Sequence, residues 1–390
     1  VLHALRFHCR QSILCDVPND IPYTGQPGGA DRAEPPRDLA VLGFTERFQA
    51  LFASLAEQGF SPGRVCRVDR GLPLVLTESG PVRAEPAAHL RESADSMPAV
   101  GDWVALARPE GHDVAIAEAI LPRSSAFTRK DPGERVIGQV MAANIDTVFV
   151  VQTLAPAAPN LSRIERELVL AWESGAKPVV VLTKADLCRH ADALRAEVAA
   201  VALGVDIHAT SAITGQGIDE LRGYLAPGRT VAFFGASGVG KSTLINCLMG
   251  TDVQETAEVR ETDGKGRHTT VAREMFFLPG GGILIDTPGM RALALWDADE
   301  GIASAFPDIE ELAEECRFAD CTHAQEPRCA VRAAVEAEKL TERRLESYLR
   351  LKEELERLAA KHDVRARAER SKADRAMGRE IKRFYKERGR

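Results

Sequence analysis

The sequence predicts a multidomain α/β chain in three parts: an N-terminal OB-type β-barrel, a mostly parallel sheet with helices on both faces, and a C-terminal helical section rich in metal-ligating residues. Three observations carry this. Short strand-like runs, punctuated by Gly, Pro and Ser, crowd residues 63–120. Continuous apolar runs then alternate with helix-like stretches from 147 to 285. Beyond Phe306 the chain turns charged and helical, with Cys and His clustered near its start.

Residues 1–40 read as an extension without regular structure. Pro18, Pro22, Pro27, Gly28, Gly29, Pro35 and Pro36 interrupt any pattern there. Residues 41–125 are assigned to the barrel, led by a short helix over 51–58. Its strands are expected at 63–68, 72–77, 81–84, 102–106 and 114–120. Five strands in so short a stretch suit an OB-type barrel. Residues 126–305 hold the second part, with strands expected at 147–153, 178–183, 205–210, 230–235 and 282–285. Apolar strands of this kind, separated by helices such as 161–174 and 191–203, imply a parallel sheet covered on both faces. Residues 306–390 form the third part. From Glu336 onward it reads as one or more long exposed helices.

The 390 residues, 45% hydrophobic, suffice for two or three cores. No apolar run approaches the ~20 residues that span a bilayer, so no membrane partner is expected. No secretory signal pattern is present, which points to the cytoplasm. Net charge is -7, yet residues 361–390 hold 12 Lys+Arg against 5 Asp+Glu. An acidic body with a basic tail suggests a polyanionic partner; on charge alone a solvated, salt-bridged helix fits equally.

The segment Gly235-Ala236-Ser237-Gly238-Val239-Gly240-Lys241-Ser242 fits GxxxxGK[ST]. It follows an apolar strand and, with Thr243, opens a helix, the context a phosphate loop requires. Glycines let backbone amides turn onto phosphate oxygens. Lys241 reaches the β- and γ-phosphates, and the Ser242 hydroxyl can ligate Mg²⁺. Thr183-Lys184-Ala185-Asp186 ends another apolar strand and resembles the guanine-reading [NT]KxD motif. A carboxylate at Asp186 accepts from guanine N1–H and the exocyclic amine, a donor pair that adenine lacks. Thr183 takes the place that asparagine often fills. Thr210-Ser211-Ala212 also follows a strand, and its backbone would meet guanine O6. Asp286-Thr287-Pro288-Gly289 resembles DxxG, with Asp286 on Mg²⁺ through water and the Gly289 amide at the γ-phosphate. In the polar loop Gly264–Thr270, either Thr269 or Thr270 can bind Mg²⁺.

The order of these motifs is decisive. GTPases mostly present the phosphate loop first and the guanine motifs last. Here the same cycle begins at the guanine motifs, as in a circularly permuted P-loop GTPase domain. The DxxG switch then leads straight into the C-terminal section, so nucleotide state could reposition that section. Met290 stands where many GTPases place a water-orienting glutamine. His268 is the nearest catalytic candidate, because a neutral imidazole accepts a hydrogen bond from water. Slow hydrolysis, accelerated by a partner, is the expectation.

Of eight cysteines, Cys316, Cys321 and Cys329 cluster around His323. Three thiolates and one imidazole suit tetrahedral Zn²⁺, and four protein ligands make a closed, structural site. The plain alternative is three reduced cysteines beside an unrelated histidine.

Motif order, the loop GASGVGKST, the segment GKGRHTT, DTPG and Cys-x4-Cys-x-His-x5-Cys together resemble the RsgA-type ribosome-small-subunit-dependent GTPases over about residues 60–390. The resemblance implies a GTP hydrolase that also binds GDP, uses Mg²⁺ and one structural Zn²⁺, and has His268 as its catalytic residue. It further implies rRNA contact, stimulation by the small ribosomal subunit, and release after late subunit maturation. A monomer is the default. The 1–40 extension departs from the family pattern. Two other readings compete: a permuted GTPase of the large subunit, and an RNA-binding switch for which hydrolysis is incidental. A general ATPase is disfavoured by the two guanine motifs.

Overall fold

β1 (Ser61–Asp69), β2 (Leu72–Thr77), β3 (Gly80–Pro86), β4 (Trp103–Ala107) and β5 (Ala115–Ile120) wrap around a small apolar core. The structure, a computed structural model, describes residues 35–69, 72–91, 96–109, 114–130, 138–250, 273–286 and 298–360. β1 pairs with β2 along one edge and with β4 along the other, and β3 pairs with β5 in parallel, so the five strands close. A register shift between Val65 and Arg67 bends β1 enough to serve both neighbours. Val65, Val75, Ala84, Val104, Leu106, Ala115 and Ala117 fill the interior. Gly63 is required there, since a Cβ would stand 2.5 Å from Val75 Cγ1. The leading helix α1 (Glu46–Glu57) starts earlier than its sequence suggests, because Phe48 and Phe52, one turn apart, bury against the barrel. Phe44 and Phe48 both meet the Trp103 ring, at 4.7 and 5.9 Å.

A hairpin of β6 (Ala126–Lys130) and β7 (Gly138–Ala143) leads into the second sheet. That sheet runs β10 (Asp206–Ala209), β9 (Lys177–Thr183), β8 (Thr147–Thr153), β11 (Thr230–Phe234), β13 (Ile283–Asp286), β12 (Arg273–Phe277). The first five are parallel and β12 is antiparallel. Val148–Val151, Val179–Leu182 and Val231–Phe233 are buried throughout, as strands covered on both faces must be. The helices α2 (Leu161–Glu173), α3 (Ala191–Ala199), α4 (Ile218–Arg222) and α5 (Lys241–Met249) supply the cover. Asn160 caps α2 by accepting from the Arg163 amide at 2.9 Å.

The barrel and this sheet are joined. β12 continues onto β1, with Arg67 opposite Glu274 and Val68 opposite Arg273. Beneath the seam lies Arg64, only 2% exposed. Its guanidinium donates to Leu42 O, to Asn144 O at 3.1 Å and to Thr230 Oγ1 at 2.9 Å. Burial lowers its pKa to about 10, against the pull of Asp146 and Asp102, so it stays charged at neutral pH. Leu39 falls within the stretch expected to be loosely packed, yet it is buried with Leu42 against this seam. Residues 1–34 lie outside the described residues.

The third part begins with α6 (Asp299–Ala305) and α7 (Pro307–Ala313), followed by α8 (Ala330–Glu336) and α9 (342–360). α6 lies tight on α2: a Cβ on Gly301 would stand 2.4 Å from Val169 O. α9 is not the wholly exposed helix that its charge suggested. Leu345, Tyr348, Leu351 and Leu355 are buried on one face. Glu165 of α2, fully buried, accepts two bonds from Arg343 at 3.0 Å each and one from Arg344 at 2.9 Å. Arg344 also grips Asp308 at 2.8 Å and stacks over Phe306. Paired in this way, the buried charges fix how α7 and α9 seat on α2. The basic tail beyond residue 360 lies outside the described residues. Among those described, no helix is long and apolar enough to cross a membrane.

Candidate nucleotide site and metal centre

Three loops meet at the carboxyl ends of the parallel strands, where ligands of open α/β sheets bind. The phosphate loop follows β11, whose neighbours are β8 and β13. Gly235, Gly238 and Gly240 hold φ of 138°, 78° and 99°. At Gly235 the fit is absolute, since a Cβ would meet Val151 O at 2.4 Å. Val239 is buried and anchors the loop in the core, while Ser237 and Gly238 face solvent. Gly240 caps α5, so the free amides of that helix open into the loop, an arrangement that favours anions. Lys241 Nζ donates to Gly235 O at 2.8 Å and Ala236 O at 2.6 Å. The amine therefore sits at the mouth of the cradle. Ser242 is half-buried and Thr243 exposed on the first turn of α5.

The second loop follows β9. Thr183 Oγ1 donates to Val239 O, and Lys184 Nζ to Gly238 O at 3.2 Å. Lys184 itself is left-handed, with φ 59°, which turns the chain into a short 3-10 segment, Ala185–Leu187, and leaves Asp186 exposed. The third loop follows β10. Thr210 O accepts from the Ala185 amide at 3.0 Å, which locks it to the second. Ser211 is buried, with its amide donating to Gln216 O at 2.9 Å and its Oγ accepting from the Thr214 amide at 3.1 Å. Cys247 of α5 reaches Ala212 O at 3.9 Å. Residues 183–186, 210–212 and 235–243, far apart in sequence, are thus one hydrogen-bonded unit. Asp286 ends β13 opposite Glu274, beside the strand that carries the phosphate loop. His268, Thr269, Thr270 and Gly289 lie outside the described residues.

Cys316, Cys321, His323 and Cys329 converge, with their ligand atoms all within 4.8 Å of one another. His323 Nδ1 is 3.7 Å from Cys316 Sγ and 3.5 Å from Cys329 Sγ; the two sulfurs are 3.9 Å apart. Tetrahedral zinc with ordinary bond lengths would set S···S near about 3.8 Å and S···N near about 3.6 Å. The donor set therefore fits one such ion, and these four residues would hold it. Left-handed backbone at His323 (φ 60°) and Arg328 (φ 62°) shapes the loop between the ligands. Burial, then the charge of Lys352, holds the His323 imidazole below its usual pKa, in the neutral form that a metal ligand needs. Cys329 also caps α8, accepting from the Arg332 amide.

The family model described as RsgA GTPase matches residues 120–296. The chain is 47% identical to a small ribosomal subunit biogenesis GTPase RsgA of Streptomyces avermitilis, over 85% of this chain and 89% of that one. It is 45% identical to the Streptomyces coelicolor protein of the same name, over 90% and 93%. The chain belongs to the RsgA GTPase family. It is a GTP-hydrolysing enzyme. Among solved structures, YjeQ from Thermotoga maritima superposes with a TM-score of 0.58 at 29% identity, covering 76% of this chain and 98% of that one. YloQ, a circularly permuted GTPase, gives 0.55 at 24% identity, over 75% and 94%, a likeness of fold. The RsgA sheet and its order of motifs are accordingly those of a circularly permuted GTPase.

Two residues of this RsgA chain beside the phosphate loop belong to no motif. Gln152, at the end of β8, donates to Glu167 Oε2 of α2 at 2.8 Å. Burial pushes the Glu167 carboxyl up to about 7, against the Gln152 hydrogen bond and the charges of Arg163, Lys241 and Arg166. Its ordinary value is 4.5. Between these values the unfolded chain releases a proton that the folded chain keeps, so stability falls as pH rises from about 4.5 to 7. Above that the cost levels off at roughly 3 kcal/mol. Glu167→Gln, whose amide oxygen still accepts from Gln152, is expected to melt higher than the parent, by a margin that widens from pH 5 to pH 8. Melting curves across that range check it; a constant margin would contradict it.

Proposed function

We propose that this enzyme hydrolyses GTP to GDP and phosphate on the small ribosomal subunit, in late subunit assembly and rRNA maturation, with the subunit stimulating the reaction. The observation that carries this reading is the interlocked unit of phosphate and guanine loops, in a chain that aligns over 89% of a relative named for small ribosomal subunit biogenesis. Asp186 and the Ala212 backbone read guanine. The loop from Gly235 to Thr243 holds the phosphates, with Lys241 on the β- and γ-groups. Ser242, Asp286 and one of Thr269 and Thr270 hold Mg²⁺, and the Gly289 amide senses the γ-phosphate. His268 orients the attacking water. Water oxygen bonds to the γ-phosphorus, the bond to the β-γ bridging oxygen breaks, and GDP leaves.

Residues 41–125, 126–305 and 306–390 act as barrel, GTPase and zinc-bearing units on a cytoplasmic monomer. Cys316, Cys321, His323 and Cys329 hold one structural Zn²⁺. The barrel, the zinc unit and the basic tail supply RNA contacts, chiefly to backbone and shape, since aromatics are only 5% of the chain. Sedimentation with purified subunits tests the partner. With a non-hydrolysable GTP analogue the protein is expected to travel with small subunits and to detach as salt rises. Equal partition onto large subunits, or onto neither, would contradict the reading.

A further inference from the structure

Thr183 is a threonine where related guanine-reading loops often carry asparagine. An asparagine amide brings two N–H donors, whereas a threonine hydroxyl has one proton. That proton is committed inside the protein. The Thr183 side chain is only 6% exposed. Its Oγ1 donates to Val239 O and also lies 3.2 Å from Gln152 O. Both neighbours are carbonyls, so both compete for the same hydrogen. The side chain is wedged beneath the phosphate loop: a Cβ on Gly240 would stand 3.4 Å from Oγ1 and 3.8 Å from Cγ2. Lys184 Nζ is likewise drawn toward the phosphate loop, at Gly238 O. Thr183 is thus a strut between β9 and the phosphate loop.

Guanine differs from adenine at O6, N1 and the exocyclic amine, while N7 is an acceptor common to both purines. Reading N7 takes a donor and adds nothing to their discrimination. We infer that this enzyme reads the guanine base through N1–H, the exocyclic amine and O6 alone, leaves N7 without a donor from Thr183, and so accepts guanine nucleotides altered at position 7. The inference rests on guanine being read by Asp186 and the Ala212 backbone.

Displacement of fluorescent GDP from the intact chain, at fixed Mg²⁺, tests it with GTP, 7-deaza-GTP, ITP and ATP. In 7-deaza-GTP a C–H replaces N7, while ITP lacks the exocyclic amine. The expected order is 7-deaza-GTP within about twofold of GTP, and ITP weaker by roughly 10–100-fold because Asp186 loses a partner. Thr183→Asn supplies a spare donor and should make GTP bind about fivefold tighter than 7-deaza-GTP. Thr183→Val removes the strut and should weaken both nucleotides by the same factor, roughly tenfold. If 7-deaza-GTP binds the unaltered chain tenfold or more weakly than GTP, the hydroxyl turns to the base and the inference is overturned. It is overturned equally if Thr183→Val weakens GTP alone. Equal affinity for GTP, ITP and ATP would instead strike the guanine reading beneath it. The comparison on the unaltered chain decides the question even if a variant fails to fold.

Discussion

Lys241→Ala is expected to lower GTP turnover by roughly 10²–10³-fold, the loss typical when one positioned transition-state donor is removed. The amine already lies at the mouth of the phosphate cradle, held by Gly235 O and Ala236 O. A triphosphate offers stronger, charged acceptors than those two carbonyls, and negative charge grows at the β–γ bridge as the bond breaks. Steady-state phosphate release measures the loss, and melting temperature separates it from unfolding. The fold should tolerate the change, because Lys241 is half-buried and the loop keeps its anchor at Val239 and its strut at Thr183. Turnover within tenfold of the parent would mean that phosphates bind elsewhere.

Removing the metal is expected to unfold the turn between α7 and α8. Structural zinc contributes about 10–16 kcal/mol of apparent binding free energy in small metal-folded units. Here the four ligands span a stretch with little regular structure of its own, Cys316 to Cys329. Cys329→Ser removes a thiolate ligand and disturbs the cap of α8 at once. Elemental analysis should find one zinc per chain in the parent. Chelation, or Cys329→Ser, should then speed amide exchange across residues 314–340. The parallel sheet keeps its own core and should keep its protection. Metal-free protein with unchanged exchange would contradict a structural role.

Much of this architecture was legible in the sequence because each signal is local. The strands of the barrel and of the parallel sheet fall within a few residues of where apolar runs and turn residues put them. The phosphate loop announces itself through glycines, whose left-handed angles no other residue would take so readily. Features set by distant pairing stayed hidden. The strand β12 carries Glu274, which does not read as a buried strand residue; its pairing with β13 and β1 makes it one. Arg64, Glu165 and Arg344 look like surface charges in sequence. Their partners lie 22 to 179 residues away, and only the fold desolvates them. Gln152 and Glu167, on a strand and the helix after it, carry no motif signal, and burial against the sheet is what sets them apart. Thr183 was legible as part of a motif, but the direction of its hydroxyl was not, since a hydroxyl's partner is chosen by packing.

GTP turnover by the purified enzyme, alone and with isolated small or large ribosomal subunits, tests the central claim most directly. The account predicts slow turnover alone, strong stimulation by the small subunit only, and loss of that stimulation in His268→Ala. Equal stimulation by both subunits, or by neither, would contradict it.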